Sequence, residues 1–440
     1  MKFTGLIIAG IVLAALTGTL YWSNHHKTEE TTKVSADTPP KILSLKEADI
    51  TSVDVRKQGK DQLQLARDKS GKWEITAPKP LRADPTNVAG MLSNLTALNA
   101  DRLVEQKASD LGQYGLANPS AEILVSEKGN KTQKLLIGDD TPTQNGAYAM
   151  LQGDPRVFTI GSYVKTSLEK SPNDVRDTRL LTVDADKVSQ VELIAKKQDI
   201  EFGRNKDDWQ ILKPRPLRAN SIKVGDLVRK LTEARMDTSE DEKKADSAFA
   251  SGSPIATAKL TDEGGTQQIQ VRKSKDDYYA KSSVVDGVYK VTSDLGQSLD
   301  KGVDDFRNKS VFSFGYTDPN KIEIHDGAKA YFLTKSGDDW WSGEGKKMDV
   351  GSVQSLVDKL RDLSASKFVD SGFTTPAMEL TVTSKDGKQV EKVQIAKAGD
   401  GYIAKRENDS SLYQLEGKDV DQLRDLAKEL KPATEEKAKT

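Results

Sequence analysis

The sequence predicts an α+β fold: three tandem copies of an antiparallel-sheet module with helices on one face, preceded by a single N-terminal transmembrane helix. Three observations carry that prediction. A tryptophan-led segment recurs along the chain, short strand-like runs outnumber helices in every copy, and the first residues form an apolar run unlike anything after it.

Phe3 to Trp22 contain no charged side chain. At about 1.5 Å per residue, a helix of this run reaches roughly 30 Å, the thickness of a bilayer's hydrocarbon core. Lys2 precedes it, and Tyr21 and Trp22 stand at its far end, where aromatic residues meet the membrane interface. Residues 1–22 are therefore expected to anchor the chain in a bacterial inner membrane as a single pass, with the body on the periplasmic or extracytoplasmic side. The alternative is a cleaved signal peptide, because Ala15-Leu16-Thr17 and Thr17-Gly18-Thr19 offer small residues to a peptidase. Residues 23–40 are polar, end in Pro39-Pro40 and read as a disordered linker.

The repeat defines the body. Trp73-Glu-Ile-Thr-Ala-Pro-Lys-Pro-Leu-Arg-Ala83 aligns with Trp209-Gln-Ile-Leu-Lys-Pro-Arg-Pro-Leu-Arg-Ala219, with seven of eleven positions identical. A helix pattern follows each. Asp84 suits an N-cap and Pro85 the first helical position, and Val88, Met91, Leu92, Leu95 and Leu98 share one face. In the second copy Asn220 caps and Val224, Leu227, Val228 and Leu231 form the stripe. In the third, Trp341 precedes Asp349 as cap, with Val353, Leu356, Val357, Leu360 and Leu363 behind it. Trp73, Trp209 and Trp341 are accordingly expected to be structural core.

Each copy has a second half of strand-like runs joined by glycine-containing turns, such as Ile123 to Val125, Thr257 to Leu260 and Leu380 to Val382. Many strands with one helix per half-copy predict antiparallel sheets rather than βαβ units. The expected modules are residues 41–181, 182–313 and 314–432, with 433–440 a charged tail.

Lys plus Arg total 66 against 67 Asp plus Glu, so no bulk positive field exists to hold nucleic acid. The absence of cysteine excludes disulfides, thiolate metal sites and a lipid-modified N-terminal cysteine. His25 and His26 lie in the linker and His325 stands alone in a strand, too few for a closed metal site or a Ser-His-Asp arrangement. Ser-x-x-Lys occurs at Ser162, Ser167, Ser298 and Ser364, about as often as chance predicts, and without its Ser-Asp-Asn and Lys-Thr-Gly partners. Asp139-Asp140, Asp207-Asp208 and Asp338-Asp339 read as turn residues rather than a calcium loop or a carboxylate pair. No catalytic, metal or cofactor site is expected. Arg82 and Arg218, kept by the repeat just before a helix N-terminus, are the candidate contacts for an anion or a partner. Their structural alternatives are packing on Trp73 or Trp209, or pairing with a nearby carboxylate.

Tyr114-Gly-Leu-x-x-Pro119, Leu136-Ile-Gly-Asp-Asp-Thr-Pro142, Ala147-Tyr-Ala149 and Val157-Phe-Thr-Ile160, together with the Trp-to-Pro run and its capped helix, resemble a bacterial family known as domain of unknown function 4340. The resemblance is best over residues 50–235 and weakens after residue 313, where the Pro-x-Pro-Leu-Arg-Ala run is lost. It implies an N-terminally anchored envelope protein associated with gliding-motility-type ABC transporter components, and it brings no catalytic residues. The expected function is a membrane-anchored, non-enzymatic accessory or scaffold with an envelope or transporter protein partner. The alternative is a periplasmic binding module for an envelope glycan, peptide or exported substrate.

Overall fold

The computed structural model describes residues 40–206, 208–315 and 319–434. The expected anchor at 1–22, the linker through residue 39 and the last six residues of the tail lie outside the described residues. Among the described residues, no helix is long and apolar enough to cross a membrane. The chain divides into two compact units, one ending at Asp177 and the other starting at Thr178. The first holds a nine-stranded antiparallel sheet and the second holds two eight-stranded ones.

The middle sheet shows the plan. Its strands lie in the order Leu217–Arg218, Asp208–Lys213, Gln198–Asn205, Gln190–Ala195, Ser253–Asp262, Gly265–Ser274, Asp277–Ser282 and Val288–Val291. Two meanders thus stand back to back, and the first strand of each is the central neighbour of the other. The first sheet repeats this order and adds Arg102–Glu105 outside Val157–Gly161. The third, whose sequence lacks the Pro-x-Pro-Leu-Arg-Ala run, has no such two-residue strand and adds Lys367–Val369 outside Leu412–Leu415.

These residues form strands because apolar side chains alternate along them. In the middle copy Val191, Leu193, Ile200, Phe202, Trp209 and Ile211 all point to one face and are buried there. Against that face lies the helix Ser221–Thr232, whose buried residues are Val224, Leu227, Val228 and Leu231. Its counterparts are Pro85–Thr96, burying Val88, Met91, Leu92 and Leu95, and Val350–Asp362, burying Val353, Leu356, Val357 and Leu360. Burying four such side chains contributes about 6–12 kcal/mol per helix before entropy is counted. The cap side chains are engaged as their residue types predict. Asp84 accepts from the N–H groups of Thr86 and Asn87, Asn220 from Lys223, and Asp349 from Ser352. A second helix lies beside each: Ser162–Leu168, Ser293–Leu299 and Gly417–Lys428.

The expectation of helices on one face alone needs correction. Helix Glu242–Ser251, capped by Asp241, lies on the opposite face of the middle sheet, with Ala245 buried against Tyr279 and Val288. The neighbouring Tyr278 points to the main core, so the alternation within Asp277–Ser282 supplies an apolar strip on each face.

Each copy closes on its own first helix. The N–H of the cap residue donates to the carbonyl of the copy's last residues: Asp84 to Val175 at 2.7 Å, Asn220 to Phe306 at 2.7 Å, and Asp349 to Lys431 at 2.9 Å. The segment leading into each copy pairs instead with the residues just after that helix. Ile42 donates to Leu98, Leu180 to Ala234 and Val311 to Leu363. In the second unit, Phe306 to Asn308 are held by the middle copy and Lys309 to Val311 by the third. No unpaired linker separates these two copies.

Trp209 is 6% exposed. Trp209→Ala is expected to destabilise the second unit by about 3–5 kcal/mol, read as a lower denaturant midpoint with an unchanged slope.

Candidate functional site

The two arginines kept by the repeat occupy equivalent places. Each ends a two-residue edge strand, Leu81–Arg82 or Leu217–Arg218, whose neighbour is the tryptophan strand. The Arg82 carbonyl accepts from the Asp177 N–H at 2.9 Å, and its guanidinium faces the buried Asp177 carboxylate at 3.8 Å. The Arg218 carbonyl likewise accepts from the Asn308 N–H at 2.9 Å. Its guanidinium then reaches into the third copy: Nη1 donates to the Ser310 carbonyl at 2.7 Å and to the Tyr413 hydroxyl at 3.1 Å, and Nη2 donates to the Ser313 hydroxyl.

A charged network surrounds that contact. The Tyr413 hydroxyl donates to Asp409 at 2.6 Å while accepting from Arg218. Arg406 pairs with the buried Glu391 at 2.8 Å and donates to the Val311 carbonyl, and Glu391 also accepts from the Ser313 N–H at 3.0 Å. Arg307 places its guanidinium 3.3 Å from the centre of the Phe368 ring and pairs with Asp304 at 2.9 Å. Burial works to raise the Asp409 carboxyl, but the Tyr413 hydroxyl, the Ser411 N–H and hydroxyl, and the Arg218 charge outweigh it and hold it below the ordinary aspartate value. Burial pushes the Tyr413 hydroxyl up, with the Arg218 charge opposing it and Asp409 adding to it.

The tryptophans fare differently from one another. Trp209 is buried, with Arg204 over its ring at 5.9 Å, and Trp73 is half-buried, with Arg67 at 4.6 Å. The cation on the ring therefore comes from the cross-strand partner, Arg67 or Arg204, and not from Arg82 or Arg218. Arg67 stands six residues before Trp73 and Arg204 five before Trp209, so the sequence repeat does not align them and only strand register brings each opposite its tryptophan. Trp341 is a correction. It is 37% exposed, and its neighbour Trp340, opposite Lys335, fills the core position at 5%. Adjacent strand residues face opposite ways, so only one of a Trp-Trp pair can face the core, and only the strand register decides which.

With the register known, the outward positions of the three copies can be compared. Asp54 opposite Gln64, Glu192 opposite Glu201 and Glu323 opposite Phe332 fix the equivalences. The triplet Arg56, Gln64 and Glu74 of the first copy becomes Ile194, Glu201 and Gln210 in the second and His325, Phe332 and Trp341 in the third. Phe332 is 42% exposed, and its ring meets that of His325 edge-on at 5.5 Å. Across the strands, His325 faces Glu379 and Glu323 faces Thr381. There the sheet face opens into a cavity of about 570 Å³ lined by Glu379, Thr381, Lys392, Gln394, Lys405 and Glu407 among others.

His25 and His26 lie outside the described residues. The Ser-x-x-Lys side chains make local bonds: Ser167 donates to the Val164 carbonyl, Ser298 to the Asp294 carbonyl, and Lys165 to Asp140. Among the described residues, no group of three or more His, Cys, Asp or Glu side chains is placed to hold a metal ion.

A family model described as a domain of unknown function (DUF4340) matches residues 73–235 and again residues 209–380. The two matches start at Trp73 and Trp209, the positions that the internal repeat superimposes. No curated protein matches the sequence. Solved structures with some similarity include a DNA polymerase sliding clamp from Pseudomonas aeruginosa, 8% identical, covering 85% of this chain and 93% of that one with a TM-score of 0.15. A putative DNA polymerase III beta subunit from Eubacterium rectale is also 8% identical, covering 86% and 93%, with a TM-score of 0.15. At that TM-score, nothing carries over to this chain.

Two outcomes test the network. Arg218→Met is expected to destabilise the second unit by about 1.5–3 kcal/mol, because the Ser310 carbonyl and Tyr413 hydroxyl lose a charged donor, and urea unfolding reads this directly. The Asp409 carboxyl lies below its unfolded value, so its contribution is fully present above about pH 4 and is lost as pH falls through the depressed folded value. Asp409→Asn should therefore flatten the acid limb of stability against pH and lower the plateau above it.

Proposed function

The chain belongs to the family described as a domain of unknown function (DUF4340), and on that premise we propose that it is a membrane-anchored, extracytoplasmic, non-enzymatic scaffold or accessory protein of an ABC-transporter-type envelope complex. The observation that carries this reading is the use made of Arg218. A residue kept by the repeat at a helix N-terminus, where an anion would bind, is directed at the next copy and fastens it. Phe306 to Asn308 pair with the middle copy and Lys309 to Val311 with the third, so these two copies are joined without a free linker. Copies joined without slack, behind an apolar N-terminal run, suit a protein that presents surfaces to partners on the extracytoplasmic side. The charged residues then serve joints and surfaces rather than a reaction.

A second reading, a binding module for an envelope glycan, peptide or exported substrate, is favoured by the three rings His325, Phe332 and Trp341 on the outer face of the third sheet, at positions that the other copies fill without rings.

The scaffold reading expects crosslinked pull-down from solubilised membranes to recover an ATPase and a permease, and recovery of neither contradicts it. It also expects the full chain to sediment with membranes and a chain lacking Met1 to Trp22 to remain folded in the soluble fraction. Aggregation of the shortened chain, or a full chain free of the membrane, overturns the anchor.

A further inference from the structure

We propose that the outer face of the third sheet is a platform for an uncharged, polyhydroxylated chain, a neutral glycan strand, with Trp341, Phe332 and His325 as its stacking surface. This rests on the binding-module reading and gives it a site and a ligand class. The internal repeat supplies the comparison. The first copy builds the same strands in the same register with Arg56, Gln64 and Glu74 at these positions, so the scaffold itself does not call for aromatic rings there. The core of the third copy does not use them either, since Ile322, Ile324, Leu333 and Trp340 fill its inner face.

The neighbourhood selects the ligand chemistry. Side by side with the rings lies the trough, where cations and carboxylates balance and several are ion-paired. Lys321 pairs with Glu323 at 2.5 Å and Lys392 with Glu407 at 3.3 Å. Gln394 donates to Glu379 at 2.9 Å, and Lys405 sits 5.8 Å from the ring centre of Phe373. An anionic polymer such as nucleic acid would need a surplus of cations, and the lining instead sets Lys392, Lys405 and Arg406 against Glu379, Glu407 and Asp409. A protein interface concentrates its apolar side chains at the centre, inside a polar rim. Here the rings line one side and the hydrogen-bonding groups run away from them across the strands. From the Trp341 strand to that of Lys405 there are five spacings of about 4.8 Å, a track of about 24 Å. A sugar ring has an apolar C–H face and a hydroxyl rim. The electron-rich ring faces suit the first, and the carboxylate, amide and hydroxyl side chains of the trough suit the second. Gly343 supports the arrangement: a Cβ there would lie 3.1 Å from the Cβ of Phe332.

The test uses the full chain in detergent, with chitotetraose and cellotetraose as probes and isothermal titration as readout. Saturable binding of at least one probe, little changed by added salt, is expected. Replacing the triplet by the residues of the first copy, His325→Arg, Phe332→Gln and Trp341→Glu, should abolish it while the denaturant midpoint stays in place. Trp341→Gln alone should weaken it by about tenfold, and it decides the matter if the triple variant does not fold. Binding of neither probe, or binding indifferent to these substitutions, overturns the proposal. So does a face that captures only a polypeptide, lost on substitution. Recovery of transporter subunits by the triple variant separates the two readings, because the scaffold can stand when the glycan platform fails.

Discussion

At the start of the first helix in each copy, one backbone N–H points at the carbonyl that ends the copy. Asp84 to Val175, Asn220 to Phe306 and Asp349 to Lys431 are the same bond made three times. A helix N-terminus leaves four N–H groups without intrahelical partners. The cap side chain answers some of them, and a carbonyl near the end of the copy accepts from the cap residue's own N–H. That bond returns the chain, after its two meanders, to the start of its first helix. Chain direction, helix pairing and the position of the joint all follow from it.

The joint between the middle and third copies extends this logic. Asn308 is still tied to the Arg218 carbonyl when Lys309 begins to pair with Ala365 of the next copy. Consecutive residues therefore answer to two different copies, and Arg218, Arg307 and Arg406 fill the space around them. Buried charges are tolerated there because each has a specific partner; an arginine left without its acceptors would be costly.

Much of this was legible in the sequence. The first helices are legible because two constraints coincide at them, a 3.6-residue apolar stripe and a cap residue at its start. The third copy's loss of the Pro-x-Pro-Leu-Arg-Ala run is visible in the sequence, but that the run holds a two-residue edge strand is not. Less could be read where long-range pairing decides. Strands Arg102–Glu105 and Lys367–Val369 are short edges defined only by the partner beside them. Helix Glu242–Ser251 buries only Ala245 within its own length, too narrow a stripe for a periodicity signal. At the candidate sites, the repeat pointed to Arg82 and Arg218 but not to what they hold, because Ser310, Ser313 and Tyr413 are distant in sequence. The aromatic triplet was invisible for the same reason. His325, Phe332 and Trp341 sit on three strands, and only register places them on one face.

The three copies thus separate two kinds of information. Residues facing inward and residues at the joints repeat because closure demands them, whereas outward residues are free to change, and in the third copy they turn aromatic. The closing bond is the claim on which the rest stands, and native-state hydrogen exchange of the Asn220 amide tests it most directly. If the bond to Phe306 closes the middle copy, that proton exchanges only with the global opening that frees the central-strand amides of Val191 and Leu193. Exchange at the fast rate of an ordinary helix N-terminus would contradict the account.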